Sequence, residues 1–134
     1  MRYWIVILLT IFCAQAEAKL RVMVIDTGVS AKVRELAAHM APRYTTNPNI
    51  NTDDSNGHGT HVAGIIFNGA CADVELIPCK AYFTNGEISA SDVPACIRKA
   101  AANRVDIINI SMSGFGYSAM EDLSLRIYTA SGGI

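Results

Sequence analysis

Three short apolar runs rich in β-branched residues, at positions 21–25 (RVMVI), 74–78 (VELIP) and 105–110 (VDIINI), limit the folds open to this chain more than any other feature. Each has the length of a strand rather than a helix, and the first is apolar on both alternating faces, as a strand buried in a parallel sheet must be. Helix-compatible segments lie between and after them. These are residues 31–39, residues 58–68 with Asn68-Gly69 to close them, residues 92–103, and residues 121–130 ended by Ser131-Gly132-Gly133. Ser91 stands where an N-cap is wanted, and Asp92 suits the first turn of its helix. Residues 42–57, rich in Asn, Thr, Asp and Pro, read as an exposed loop, and Asn85-Gly86 as a turn. Strands alternating with helices predict an α/β domain with a mainly parallel sheet, whose ligands gather at the carboxyl ends of the strands. Asp26 and Ser111 sit at two such ends.

The first 18 residues have a different character. Arg2 supplies a short positive region, residues 3–13 are apolar apart from Thr10, and Ala16-Glu17-Ala18 forms an A-x-A cleavage site. This pattern predicts a signal peptide over residues 1–18 and a mature domain over residues 19–134, secreted to the extracellular space or a periplasm. The apolar stretch is well short of the ~20 residues a transmembrane helix needs, so no stable membrane association is expected once the leader is cut. The chain carries 11 basic and 12 acidic residues, a formal net charge of −1, and the leader takes one of each with it. Without a basic cluster, nucleic acid is excluded as a partner. Cys71, Cys79 and Cys96 remain after cleavage, an odd number in a compartment that permits disulfides. One pair and one further thiol are expected, and the sequence does not choose the pair.

The residues that carry chemistry are Asp26-Thr27-Gly28, ending the first apolar run, and the octapeptide Gly57-His58-Gly59-Thr60-His61-Val62-Ala63-Gly64. They supply an imidazole base and a carboxylate to orient it. A serine hydroxyl needs both, because it is a poor nucleophile until a positioned base takes its proton. The chain resembles the N-terminal part of the catalytic domain of subtilisin-like (S8 family) serine proteases, through VMVIDTG at 22–28, HGTHVAGII at 58–66 and NISMSG at 109–114, in the family's order. The resemblance implies a three-layer subtilisin-like α/β fold, truncated here at its C-terminal side, in a serine-type endopeptidase. By position, Asp26 matches the triad carboxylate and His58 the general base. The substrates implied are polypeptides. Ser111, Met112, Ser113 and Gly114 match the strand edge and primary pocket wall that receive them, and Gly86 the facing strand.

Other readings of the same residues are weaker. Asp-Thr-Gly also marks aspartic proteases, but those pair two carboxylates and have no use for the histidine motif. His61 with Cys71 or Cys79 suggests zinc, yet the Glu of H-E-x-x-H is missing and a packed structural histidine is the commoner case. Gly59 and Gly64 read as close-packing positions. Asp53 and Asp54 carry the oxygens a calcium ion takes, but no calcium-loop spacing surrounds them, and solvated loop carboxylates are the expectation. No cofactor or metal is required by anything in the sequence. The family's G-T-S-x-A nucleophile motif and its oxyanion-hole Asn are absent from these 134 residues. The chain by itself is therefore expected to be inactive, and the alternative function is a non-catalytic, truncated or degenerate protease fragment, a peptide-binding module at most.

Overall fold

Successive side chains of a strand point to opposite faces, so an all-apolar run must be covered on both. The computed structural model, which describes residues 19–70, 73–81, 91–112 and 118–134, shows this at strand β1 (Leu20–Asp26). Val22 and Val24 pack with Leu36 and Ala63 on one face, while Met23 and Ile25 pack with Ile97 and Tyr128 on the other. Helices α1 (Arg34–Ala37) and α2 (His58–Gly69) supply the first layer, and α3 (Asp92–Ala102) and α4 (Ala119–Ala130) the second. The predicted three-layer α/β arrangement is what forms. Asp26 shares the parity of Val22 and Val24, which places its carboxylate on the α2 side.

The sheet runs β2 (Tyr44–Thr45), β3 (Val74–Lys80), β1, β4 (Ile107–Ile110), with every neighbour parallel. Strand β2 lies inside the stretch expected to be a loop. Two residues in a polar, turn-rich segment carry no periodicity, and only pairing with Cys79 and Lys80 makes them a strand. Strand β3 also runs two residues past its expected end at Pro78. Leu76 donates its N–H to His39 O on the β2 side. Residue 78 faces the same way, toward the gap between the isolated Met40 bridge and β2, so no ladder bond is lost there. On the opposite edge, Ile134 accepts from Ile108 N–H and donates to Asp106 O, both at 2.9 Å, adding a rung beside β4.

The helices differ from expectation mainly at their ends. α1 is only four residues long, since residues 31–33 form a turn in front of it. α3 starts after Ser91, which holds the N-cap position without a side-chain cap bond. α4 starts two residues early because Ser118 Oγ accepts the Glu121 N–H at 3.2 Å, a cap that extends the first turn. Cys79 and Cys96 form the disulfide, with Cα atoms 6.0 Å apart, and tie β3 to α3 inside the core. The expected leader at 1–18 and Cys71 lie outside the described residues. Among the described residues, no helix is long and apolar enough to cross a membrane.

Candidate active site

Three local features bring a base to a carboxylate at the carboxyl end of β1. Asp26 ends the strand and is 1% exposed. Gly57 then adopts φ +99°, a left-handed conformation suited to glycine, and turns the chain so that α2 begins with His58. Gly59 allows the helix to descend onto the sheet, because a Cβ built there would collide with Gly28 O. His58 Nδ1 consequently lies 2.8 Å from Asp26 Oδ1. The same oxygen accepts the Thr27 N–H at 2.7 Å. An ionised carboxylate only accepts, so Nδ1 carries the proton and Nε2 is left with its lone pair. The His58 side chain is 50% exposed, open to an incoming group. Asp26 Oδ2 is buried without a hydrogen-bond partner among the described residues, so the carboxylate is held by His58 and Thr27.

Around this pair lies a set of contacts that sequence reasoning missed. Thr27, 5% exposed, accepts the Gly59 N–H at 3.0 Å and donates its hydroxyl to Asp54 Oδ1 at 2.9 Å. Asp54 also accepts the N–H groups of Asn56, Gly57 and Thr60, each at 2.9 Å, and the Thr60 hydroxyl at 2.5 Å. Burial works to raise its pKa. The Thr60 hydroxyl and the N–H groups of Gly57, Asn56 and Thr60 outweigh it and hold the carboxyl below its ordinary value. Asp53 is fastened as well, its carbonyl accepting the buried Lys80 Nζ at 2.6 Å and its Oδ1 accepting the Ala31 N–H at 3.0 Å and Arg43 at 3.3 Å. The expectation of two solvated loop carboxylates is corrected: the Asp53 carboxylate holds Ala31 and Arg43, the Asp54 carboxylate holds Thr27 and the start of α2, and the Asp53 backbone carbonyl ties the loop to β3. The readable signal was Asp54-Ser55-Asn56-Gly57 ahead of a helix start, an Asx-turn sequence.

The remaining expected residues fall as follows. Ser111 is exposed at the end of β4 and donates its hydroxyl to Asn109 Oδ1 at 2.8 Å. Met112, half-buried, packs against the core cluster that contains Met23 and Ile25. Gly86, Ser113 and Gly114 lie outside the described residues. His61, expected to be packed, is exposed on α2, where a helix one turn beyond the dyad turns it away from the sheet. Gly64 has open space around its Cβ position, so close packing applies to Gly59 and not to it. Among the described residues, no three His, Cys, Asp or Glu side chains converge on a point that would hold a metal.

The arrangement can remove a proton from a hydroxyl presented to His58 Nε2, with Asp26 stabilising the imidazolium that results. Comparison with known proteins places the same residues in context. The model of the subtilase family, peptidase S8, matches residues 17–131. Subtilisin DY of Bacillus licheniformis is 32% identical over 122 residues, which cover 84% of this chain and 44% of that protein. The extracellular serine proteinase of Thermus sp. (strain Rt41A) is 33% identical over 113 residues, 80% of this chain and 28% of that one. Among solved structures, a cold adapted subtilisin-like serine proteinase superposes with a TM-score of 0.69 at 28% identity, covering 83% of this chain and 42% of its own. Fervidolysin from Fervidobacterium pennivorans, at 24% identity, gives a TM-score of 0.72 over 86% and 20%, and attests to the fold alone. The chain spans less than half the length of these relatives.

Proposed function

The chain belongs to the subtilase family, and from that premise we propose that it forms the N-terminal part of a secreted serine-type endopeptidase. The observation that carries this reading is the 2.8 Å contact between His58 Nδ1 and a carboxylate that is 1% exposed. His58 Nε2 takes the proton of a serine hydroxyl as the serine oxygen attacks the peptide carbonyl, then gives it to the departing amine. Asp26 holds the tautomer and stabilises the imidazolium without itself taking the proton. No metal or cofactor enters this scheme. G-T-S-x-A does not occur in these 134 residues, and this reading takes the serine and an oxyanion-hole Asn from the remainder of a full-length domain.

The substrates are polypeptides, laid along the edge that Ser111 and Met112 begin. By position in the family, Met112 would belong to the wall of the primary pocket, and the segment Ser111-Met112-Ser113-Gly114 carries no charge. That favours apolar side chains before the scissile bond, since a buried Lys or Arg without an acidic partner costs several kcal/mol. The names of the relatives, extracellular among them, and the A-x-A site at residues 16–18 support export.

The test is made on the full-length gene product with a serine-directed fluorophosphonate. Labelling and peptide hydrolysis that vanish in His58→Ala and survive chelators are the expected result. A folded full-length protein that neither labels nor cleaves would make it the non-catalytic alternative.

A further inference from the structure

The hydrogen bonds around Thr27 close a ring that contains both members of the dyad. Thr27 N–H holds Asp26 Oδ1, Asp26 Oδ1 holds His58 Nδ1, and the Gly59 N–H next to His58 returns to Thr27 Oγ1. A hydroxyl has one proton to give. The Asp54 carboxylate can only accept, so the Thr27 hydrogen goes to its Oδ1, 2.9 Å away, and a Thr27 lone pair is left for the Gly59 N–H. The direction of that hydroxyl, and with it the lone pair offered to Gly59, is therefore set by a carboxylate outside the ring.

Asp54 acts on the helix a second time. Gly57 is the N-cap residue of α2 but has no side chain to satisfy the free N–H groups of the first turn. Asp54 does so from three residues upstream, with Oδ1 accepting the Gly57 N–H and Oδ2 the N–H and hydroxyl of Thr60. Its negative charge stands at the positive end of the helix. The loop that carries it cannot drift, since Asp53 O is bound by Lys80 Nζ and Lys80 is the register partner of Asp26.

We propose that Asp54 is a positioning residue for the His58 base, setting the imidazole against Asp26 through the Thr27 hydroxyl and the first turn of α2. The proposal rests on the reading of Asp26 and His58 as triad members. It makes Thr27 more than a spacer after the catalytic carboxylate: the hydroxyl is the part through which Asp54 acts. The depressed pKa of Asp54 keeps it charged wherever a histidine base operates.

The experiment compares Thr27→Val, Thr27→Ser, Asp54→Asn and Asp54→Ala in the full-length protein, labelled with 15N-histidine. Thr27→Val keeps the shape and removes only the hydroxyl, so it stays informative if Asp54→Ala fails to fold. Thr27→Val and Asp54→Ala are expected to lower kcat by about 10- to 100-fold with KM within about twofold, as a displaced catalytic group does. Asp54→Asn, which keeps one accepting oxygen, falls between, and Thr27→Ser recovers most of the loss. The low-field Nδ1–H resonance of His58 follows the same order. Folded Thr27→Val and Asp54→Ala proteins with wild-type kcat and an unmoved resonance, whatever their melting temperatures, would overturn the proposal. If the wild type shows no serine-directed turnover, the protease reading fails, and the His58 resonance alone then decides for or against positioning by Asp54.

Discussion

Gly59 packs against the turn after β1 so closely that a Cβ placed on it would fall on Gly28 O and lie 3.0 Å from Asp26 Oδ1. The residue after His58 is thus the point at which α2 touches the sheet. Gly59→Ala is expected to push the helix away, lengthening the contact between His58 and Asp26. Overpacking of this kind costs roughly 1–3 kcal/mol. Urea unfolding measures that loss, and turnover of the full-length protein should fall with it. Unchanged stability and turnover would mean that the helix approaches less closely than this.

Removal of the dyad should be felt in kcat. In the full-length protein His58→Ala is expected to lower kcat by about a millionfold, as in enzymes whose triad acts as a unit. Asp26→Asn leaves the shape intact but favours the wrong imidazole tautomer, and about a ten-thousandfold loss is expected. His61→Ala, one turn along and exposed, should retain most of the activity. Steady-state kinetics on a peptide substrate separates the three, and an inactive but folded His61→Ala protein would contradict the assignment of the base.

The disulfide joins residues 17 apart, Cys79 in β3 and Cys96 in α3. A loop of this size restricts the unfolded chain by about 3 kcal/mol. The double substitution Cys79→Ala/Cys96→Ala should therefore lower unfolding free energy by roughly 2–4 kcal/mol. Denaturation with and without reductant checks this, and the substituted protein should no longer respond to reductant.

Asp54 gives stability a pH dependence of definite sign. Its folded pKa lies below the ordinary value of 3.8, so the unfolded chain binds the proton more readily. The stabilisation is fully present above the unfolded value and is lost as pH falls through 3.8 toward the folded one. Unfolding free energy measured between neutral and acid pH should drop over that interval, and drop less in Asp54→Asn. An acid limb equally steep in that variant would assign the loss to other carboxylates.

The layers and the carboxylate–imidazole pair could be read from short-range pattern. The apolar run at 21–25 has no polar face to leave in water, so it had to lie between two layers, and the segments that cover it were visible by their spacing. Asp26 and His58 were legible because each sits in an unbroken motif at the end or start of an element. What escaped was set by partners distant in sequence. Tyr44 and Thr45 are a strand only because Cys79 and Lys80 lie alongside them, and Pro78 stays in the sheet only because its missing N–H faces a gap.

The same division separates the dyad from its support. Local sequence determined that a carboxylate would end β1 and an imidazole would open α2, because strand and helix signals depend on neighbouring residues. Tertiary structure decided that Cys79 would find Cys96, that Asp54 would face Thr27 across 27 residues of chain, and that Lys80 would hold Asp53 across the same separation. A buried donor must find an acceptor wherever the fold brings one within about 3 Å, and that choice is made by packing in three dimensions, which no window along the chain contains.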